Sequence, residues 1–521
     1  MERSQYRYAL SSLSGVAIDL VNRALYEKSK ATQSDKSQVQ LAFGLHSTTS
    51  IIVWTICSEG EAGFRPRRQA TDECAVVAIR RLQSSNYLCF EKNMPIEKWL
   101  ERRGYVHFDR PIAIEQVDER VRDPNYVAKH SFMPLIGYTI EEPRYKRSER
   151  EVVLKPRPIR YASHLDSHVF GFYAALLEPQ YEEALAAQGL TDSVLAYRKH
   201  ALPGSQRGKC NIHFANEAFE WIKQQENCVA FAFDVEGFFD SIDHLVLKER
   251  WRCLLGTQEL ANDHYRVFRA ITKYSWVELD KMSKALGFGR NRLEKSREPF
   301  CRPKAFRENI AKAGLIEVNR KNRGIPQGSP ISSLLSNLAM FHFDCAMAAN
   351  VASWGGLYRR YSDDILVVVP TCFKDQVSQA TEACLSEHSN GSLTLNTGKT
   401  VVSSFLRDNG ILQADEPLSY LGFEFDGRKK LIRPKTLARF QRRMIQAVRS
   451  AARAARKAAR NGGSEEIYRR ELYERFSHKG KRNFIKYAYR CAEVMNAPEM
   501  KRQTRRHWEQ LHRLLENHIT D

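Results

Sequence analysis

Eleven cysteines are scattered through the 521 residues without one CxxC pair, so neither a zinc ribbon nor a disulfide framework is suggested. His342 and Cys345 have the spacing of two ligands on one helical face, but no second pair completes a site. Reduced, buried cysteines of a cytoplasmic protein are the expectation. The opening residues MERSQYRYAL lack an apolar signal core, and no run approaches the ~18–20 apolar residues of a membrane span, so no membrane is expected as a partner. No internal repeat is visible. Acids are in short supply, 61 against 81 Lys plus Arg, which leaves a net charge of +20. An excess that large favours a polyanionic partner, nucleic acid being the commonest, over a merely soluble basic protein.

What is present is enough to fold. With 43% hydrophobic and 10% aromatic residues the chain has a sizeable core to bury, in two to four subdomains at roughly 150 residues each. Residues 5–28 have the pattern of an amphipathic helix, followed by a polar loop over 31–40. The region to about 150 mixes short helical and extended patterns and carries no readable motif. From 151 the texture changes: EVVLKPRPIRYASH predicts an extended hairpin, and a helix begins near Asp166. VAFAFDV at 229–235 predicts a buried strand ending at Asp234. Residues 278–323, rich in charge and poor in periodicity, are expected on the surface as an insertion. After GIPQGSP, ISSLLSNLAMFHFDCAMA predicts a long buried helix, and GLYRRYSDDILVVVP predicts strand, tight turn, strand. The tail from about 431 is helical and basic, interrupted at Gly462 and Gly463.

Three patterns in fixed order carry chemistry. FDVEGFFDSIDH at 233–244 sets an acid at the end of a buried strand, where an unpaired carboxylate is costly unless a cation neutralises it. QGSPISS at 327–333 opens a helix with Gly328, Pro330 and small serines, a turn that lets backbone approach a flat substrate. YSDD at 361–364 sets two acids side by side at a hairpin tip. Like charges repel there, so a cation is the reason for them. Asp234, Asp363 and Asp364 together suit two Mg²⁺ ions roughly 3.5–4 Å apart, the clamp for in-line phosphoryl transfer. Oxygen-only ligands fit Mg²⁺ or Mn²⁺ and argue against zinc.

This ordered set resembles the polymerase motifs of reverse transcriptases over roughly 150–430, with LNTGKT at 395–400 and YLGFEF at 420–425 resembling the two motifs that follow. The resemblance implies an α+β right-hand polymerase with fingers, a palm built on an antiparallel sheet and a helical thumb. The expected boundaries are an N-terminal extension at 1–150, mixed and mainly helical, fingers at 151–228, palm at 229–430 and a basic thumb at 431–521. It further implies that Asp234, Asp363 and Asp364 bind the metals with the backbone carbonyl of Val235. Phe239 falls at the steric-gate position, where a ring collides with a ribose 2′-OH, while Phe238 is expected in the core. Gln327 and Gly328 would lie against the incoming nucleotide and template base. Lys399 would stand near the leaving pyrophosphate, and Leu421 and Gly422 would grip the primer. Lys155, Arg157 and Arg160 resemble the basic segment that holds the triphosphate, though their alternation lets only some share one face. Arg157, before Pro158 and Ile159, is the first choice. Arg198 and Lys209 are candidates for template or triphosphate, with a solvent-facing charged hairpin as the alternative.

Arg428 to Arg460 contains 13 basic residues and no acid. Arg449, Arg453, Arg456 and Arg460 recur at helical spacing, a stripe that repels itself unless phosphates neutralise it. The expected thumb, 431–521, has about 90 residues, so no nuclease or integrase domain is expected beside it. The absence of VTG and NAxxH elements points away from retron enzymes, and QG in place of IG points away from diversity-generating retroelements. KPRPIRYASHLD, SVLAYR, GKCNIHFANEAF and FFDSIDH resemble stand-alone bacterial antiviral reverse transcriptases. That likeness implies a non-coding RNA template, dNTPs as substrates, a DNA product and, in some members, a homo-oligomer. Two other functions share these residues: a template-independent or self-primed nucleotidyl transferase, and a nucleic-acid-binding scaffold with a vestigial site.

Overall fold

The computed structural model describes residues 39–45, 51–57, 98–146, 151–289 and 298–517. The chain divides into two units, Met1–Glu91 and Lys92–Asp521. In the first, strands β1 (Val39–Leu45) and β2 (Ile51–Cys57) pair antiparallel. The helix expected over 5–28 lies outside the described residues, as does the loop expected after it, save its last two residues, which open β1.

The second unit contains the remaining strands in chain order. β3 (Leu135–Lys146) and β4 (Glu151–Tyr161) form a long hairpin, and β5 (Ala201–Leu202) and β6 (Ser205–Gly208) a short one. β7 (Asn227–Asp234), β8 (Ser275–Glu278), β9 (Glu317–Val318), β10 (Leu357–Tyr361) and β11 (Asp364–Pro370) follow. β12 (Val401–Asp408), β13 (Ile411–Ala414), β14 (Leu418–Tyr420), β15 (Phe423–Phe425) and β16 (Lys430–Ile432) complete the set.

The central sheet has the order β10-β11-β7-β12-β13, antiparallel throughout. Both of its faces are covered. Val229, Phe231 and Phe233 of β7 join Ile365, Val367 and Val369 of β11 in an apolar cluster with the helix His164–Ala187. Cys228, Ala230, Leu366 and Val368 join the opposite cluster with the helices Asn211–Lys223 and Phe484–Val494. Double coverage is why β7 and β11 read as continuous apolar runs and not as alternating ones. The helix expected after GIPQGSP is two helices, Ser332–Ala339 and Phe341–Ser353, with Met340 between them.

The described residues of 278–323 are mostly exposed, as a surface segment would be, yet they are bound into a sheet. β8 pairs with β3 and β9 with β8, giving a four-stranded sheet β4-β3-β8-β9. Val277, Met282, Phe300 and Ile310 pack there with Phe108 and Ile136. The hairpin begins at Leu135, ahead of the boundary drawn at 150. Trp99, Val117, Val121 and Val127 already belong to the main core.

Behind the turn joining β10 to β11 lies a fully buried ion pair. Arg360 and Asp344 are both 0% exposed. The guanidinium donates to Asp344 twice, at 2.6 Å each, and the Tyr358 hydroxyl donates to the same carboxylate at 2.7 Å. Nη1 of Arg360 donates to Asn337 Oδ1 and to the Ser362 carbonyl, both at 3.1 Å. The C-terminal helix Pro434–Arg460 buries Phe440, Met444, Val448, Ala452 and Ala455 along one stripe. Phe440, Met444 and Val448 pack there with Leu472, Phe476, Ile485, Leu511 and Leu515.

Removing one member of a buried pair strands the other charge. Asp344→Ala is therefore expected to lower stability by about 3–5 kcal/mol in urea unfolding. Asp344→Ala with Arg360→Met is expected to recover most of that loss. A single variant as stable as the wild type would show that water reaches Arg360.

Candidate active site

The register of β7 against β11 pairs Asp234 with Asp364. Only Ser362 and Asp363 join β10 to β11, and Ser362 has a φ of +61°, as a two-residue hairpin turn requires. The Val235 N–H donates to the Asp363 carbonyl at 3.0 Å and holds this turn over the end of β7. Asp234, Asp363 and Asp364 thus share one end of the two central strands. Lys399 arrives from a short 3₁₀ turn, Thr397–Lys399, which is anchored by the Asn396 N–H on the Asp234 carbonyl at 2.7 Å. Its ammonium pairs with Asp234 Oδ2.

The electrostatics follow from this crowding. Asp364 is exposed as a residue, yet protein surrounds its carboxyl closely enough that desolvation is the leading effect. Burial, then the charges of Asp363 and Asp234, push it up to about 7, while Arg433 and Lys399 pull the other way. Among the described residues no three His, Cys, Asp or Glu side chains form a ready-made metal cage. The donor set nonetheless fits hard divalent cations, being all carboxylate oxygen, and the Lys399 ammonium already stands in for a cation on Asp234.

Phe238 is buried in the core and Phe239 half-buried beside it, ring centroids 5.5 Å apart. The Phe239 carbonyl accepts from the Ile325 N–H at 2.9 Å. The QGSP turn is tied to β4, since the Arg160 N–H donates to the Gln327 carbonyl at 2.8 Å. Gly328 has a φ of +112°, and a Cβ there would lie 2.8 Å from the Arg160 carbonyl oxygen. Only glycine permits both.

The three basic residues of β4 part company. Lys155 and Arg157 are exposed, while Arg160 points to the other face of the strand and lays its guanidinium over Trp276 at 4.3 Å and Tyr274 at 5.3 Å. Arg198 is not placed for template or triphosphate. It chelates Glu182 with bonds of 2.8 and 2.5 Å and also donates to the Thr191 and Val194 carbonyls, which makes it an internal staple. Lys209 pairs with Glu217 at 2.8 Å.

Leu421 and Gly422 form the two-residue turn between β14 and β15, with φ of +47° and +95°. The Gly422 carbonyl accepts from the Arg433 N–H at 3.1 Å. Arg433 is a site residue that sequence reasoning passed over. It precedes the N-terminal Pro434 of the long helix, and its charge acts on Asp364. Nothing in the sequence distinguishes it from the twelve other basic residues around it. On that helix Arg449, Arg453 and Arg460 are exposed and Arg456 is half-buried, opposite the apolar stripe.

Residues 183–425 match the family described as reverse transcriptase (RNA-dependent DNA polymerase). That stretch of the chain thus matches a reverse transcriptase domain, set within an α+β fold. No curated protein sequence matches it. Among solved structures it is similar to apo telomerase from Candida tropicalis truncated from its C-terminal domain, at 10% identity and a TM-score of 0.35, over 60% of this chain and 59% of that one. Telomerase from Candida albicans in complex with a TWJ fragment of telomeric RNA aligns at 12% identity and a TM-score of 0.33, over 78% of this chain and 65% of that one. Each alignment spans less than two thirds of the telomerase chain, and likenesses this slight carry no functional weight.

Proposed function

We propose that this protein copies RNA into DNA, adding dNTPs to a 3′-OH at the end of β7 and β11. The observation that carries the proposal is the register of Asp234 against Asp364, with Asp363 in the two-residue turn between β10 and β11. Asp234, Asp363 and Asp364, with the Val235 carbonyl, would hold two divalent cations. When bound, Mg²⁺ (or Mn²⁺) supplies the positive charge that two-metal phosphoryl transfer needs at the attacking and leaving oxygens. Lys399, beside Asp234, offers its ammonium to the leaving pyrophosphate, as charge or as a proton. Gln327 and Gly328 give the incoming nucleotide a flat backbone surface, and Lys155 and Arg157 reach for its triphosphate from the exposed face of β4. Phe239 excludes the ribose 2′-OH.

In this proposal the sheet β4-β3-β8-β9 serves as fingers, the five-stranded sheet as palm and the helices after β16 as thumb. The exposed arginines of Pro434–Arg460 grip the phosphates of the duplex. Among the described residues no helix is long and apolar enough to cross a membrane. The likeness of KPRPIRYASHLD, SVLAYR and FFDSIDH to the stand-alone antiviral enzymes supports a role in phage defence with a non-coding RNA.

Three outcomes are expected. Asp363→Asn keeps the side-chain shape and removes a ligand charge, so Mg²⁺-dependent dNTP incorporation on a primed RNA template should vanish without loss of folding. Protection of cells against phage should vanish with it. Near-normal incorporation by a folded Asp363→Asn protein would rule out the two-metal assignment.

Phe239→Ala should admit ribonucleotides, read as a fall in the ratio of dGTP to GTP incorporation. An unchanged ratio would make Phe239 a core residue only.

Replacing Arg449, Arg453, Arg456 and Arg460 with Gln preserves helix propensity. The slope of log affinity against log salt for a primer–template should shrink by about 0.7–0.9 per lost phosphate contact. Identical slopes would show that the stripe meets no phosphate.

A further inference from the structure

Tyr197 is held at a φ of +65°, a left-handed conformation that bulky residues rarely adopt. Its neighbours impose it. The Arg360 N–H donates to the Ser193 carbonyl at 2.8 Å, and the Leu195 N–H to the Arg360 carbonyl at 2.9 Å, which zips this segment onto the edge of β10. Asn337 Nδ2 donates to the Ala196 carbonyl at 2.9 Å, and the Arg198 staple closes the other side. Glycine or asparagine would satisfy such a backbone without strain. The chain instead carries a tyrosine whose surface is 50% exposed, so packing does not account for the ring.

The ring's position suggests what does. Its hydroxyl lies 3.1 Å from Ser362 Oγ, inside the turn that presents Asp363, and it neighbours Tyr361. A strained aromatic whose surroundings over-determine it, one residue from a reacting centre, is a mark of function. We infer that Tyr197 is a stacking platform for the 3′-terminal nucleotide of the primer, with the Ser362 hydroxyl setting the angle of the ring. The inference rests on the polymerase proposal, because Asp363 marks the reacting 3′ end only if that proposal holds. Every base has a π-face, so the contact is independent of sequence.

The test is steady-state extension of a DNA primer on an RNA template by the full chain, with melting temperatures measured alongside. Tyr197→Gly and Tyr197→Asn remove the ring and relieve the backbone. Both should melt at or above the wild-type temperature while the KM for primer–template rises roughly tenfold, the scale of one lost base–aromatic stack. The KM for dNTP should move far less. Tyr197→Phe keeps the ring but loses its contact with Ser362, so its KM for primer–template should rise far less than that of the ringless variants. If the ringless variants melt lower and keep the wild-type KM for primer–template, Tyr197 is only an anchor for the turn and the inference falls. It falls equally if Tyr197→Phe is as impaired as Tyr197→Gly, since the hydroxyl would then be the essential group. A wild-type chain that extends no primer overturns the polymerase proposal and this inference together.

Discussion

A guanidinium shut away from water must have its charge matched where it sits, and Arg360 is such a group. Asp344 matches it through two short bonds from the helix Phe341–Ser353. Because both oxygens of that carboxylate are engaged, Arg360 has one fixed orientation. Its remaining nitrogen therefore meets the Ser362 carbonyl in one place. That carbonyl belongs to the turn that presents Asp363. Buried ion pairs add little net stability over well-packed apolar residues, so this pair matters chiefly for geometry. It holds from behind a turn in which Ser362 is buried and Asp363 half-buried, with the exposed Asp364 next in the chain.

Given the turn, the acids follow. The antiparallel ladder between β7 and β11 leaves Asp364 opposite Asp234 and admits no slip, because a shift of one residue would exchange the two buried faces of both strands. Three carboxylates at one strand end repel each other, and the fold offsets the repulsion with what it has. Lys399 pairs with Asp234, Arg433 acts on Asp364, and Asp364 itself binds a proton more readily than an ordinary aspartate. Each of these is a monovalent answer to an excess of negative charge. The divalent cations of the proposed function would offset the same charge more strongly than any of the three.

The elements that sequence predicted well are those whose signal is local. β7, the β10–β11 hairpin and the basic C-terminal helix each announce themselves within about a dozen residues, by apolar runs, a short turn or helical spacing. The sheet that segment 278–323 joins was not legible because its partners are distant. β8 is four residues long, and its pairing with β3, some 140 positions earlier, and with β9, some 40 later, makes it part of a sheet. A charged surface and a strand completed by a remote neighbour look the same from within the segment.

The site divides along a similar line. Acids at the end of a buried strand break the local expectation that such positions are apolar, so Asp234, Asp363 and Asp364 were conspicuous. Basic residues in a chain with a net charge of +20 break no such expectation. Arg360 and Arg433 were therefore passed over and Arg198 and Arg160 were read as nucleic-acid or triphosphate contacts, although the fold sets the four different tasks. One fixes the turn that carries Asp363, one faces the neighbouring carboxylate of Asp364, one staples a loop and one stacks on Trp276 and Tyr274. What separates them is the partner each meets in three dimensions, because an arginine's role is set by the acceptor or ring it reaches. Where charge is abundant, its scarcity at a position is informative and its presence is not.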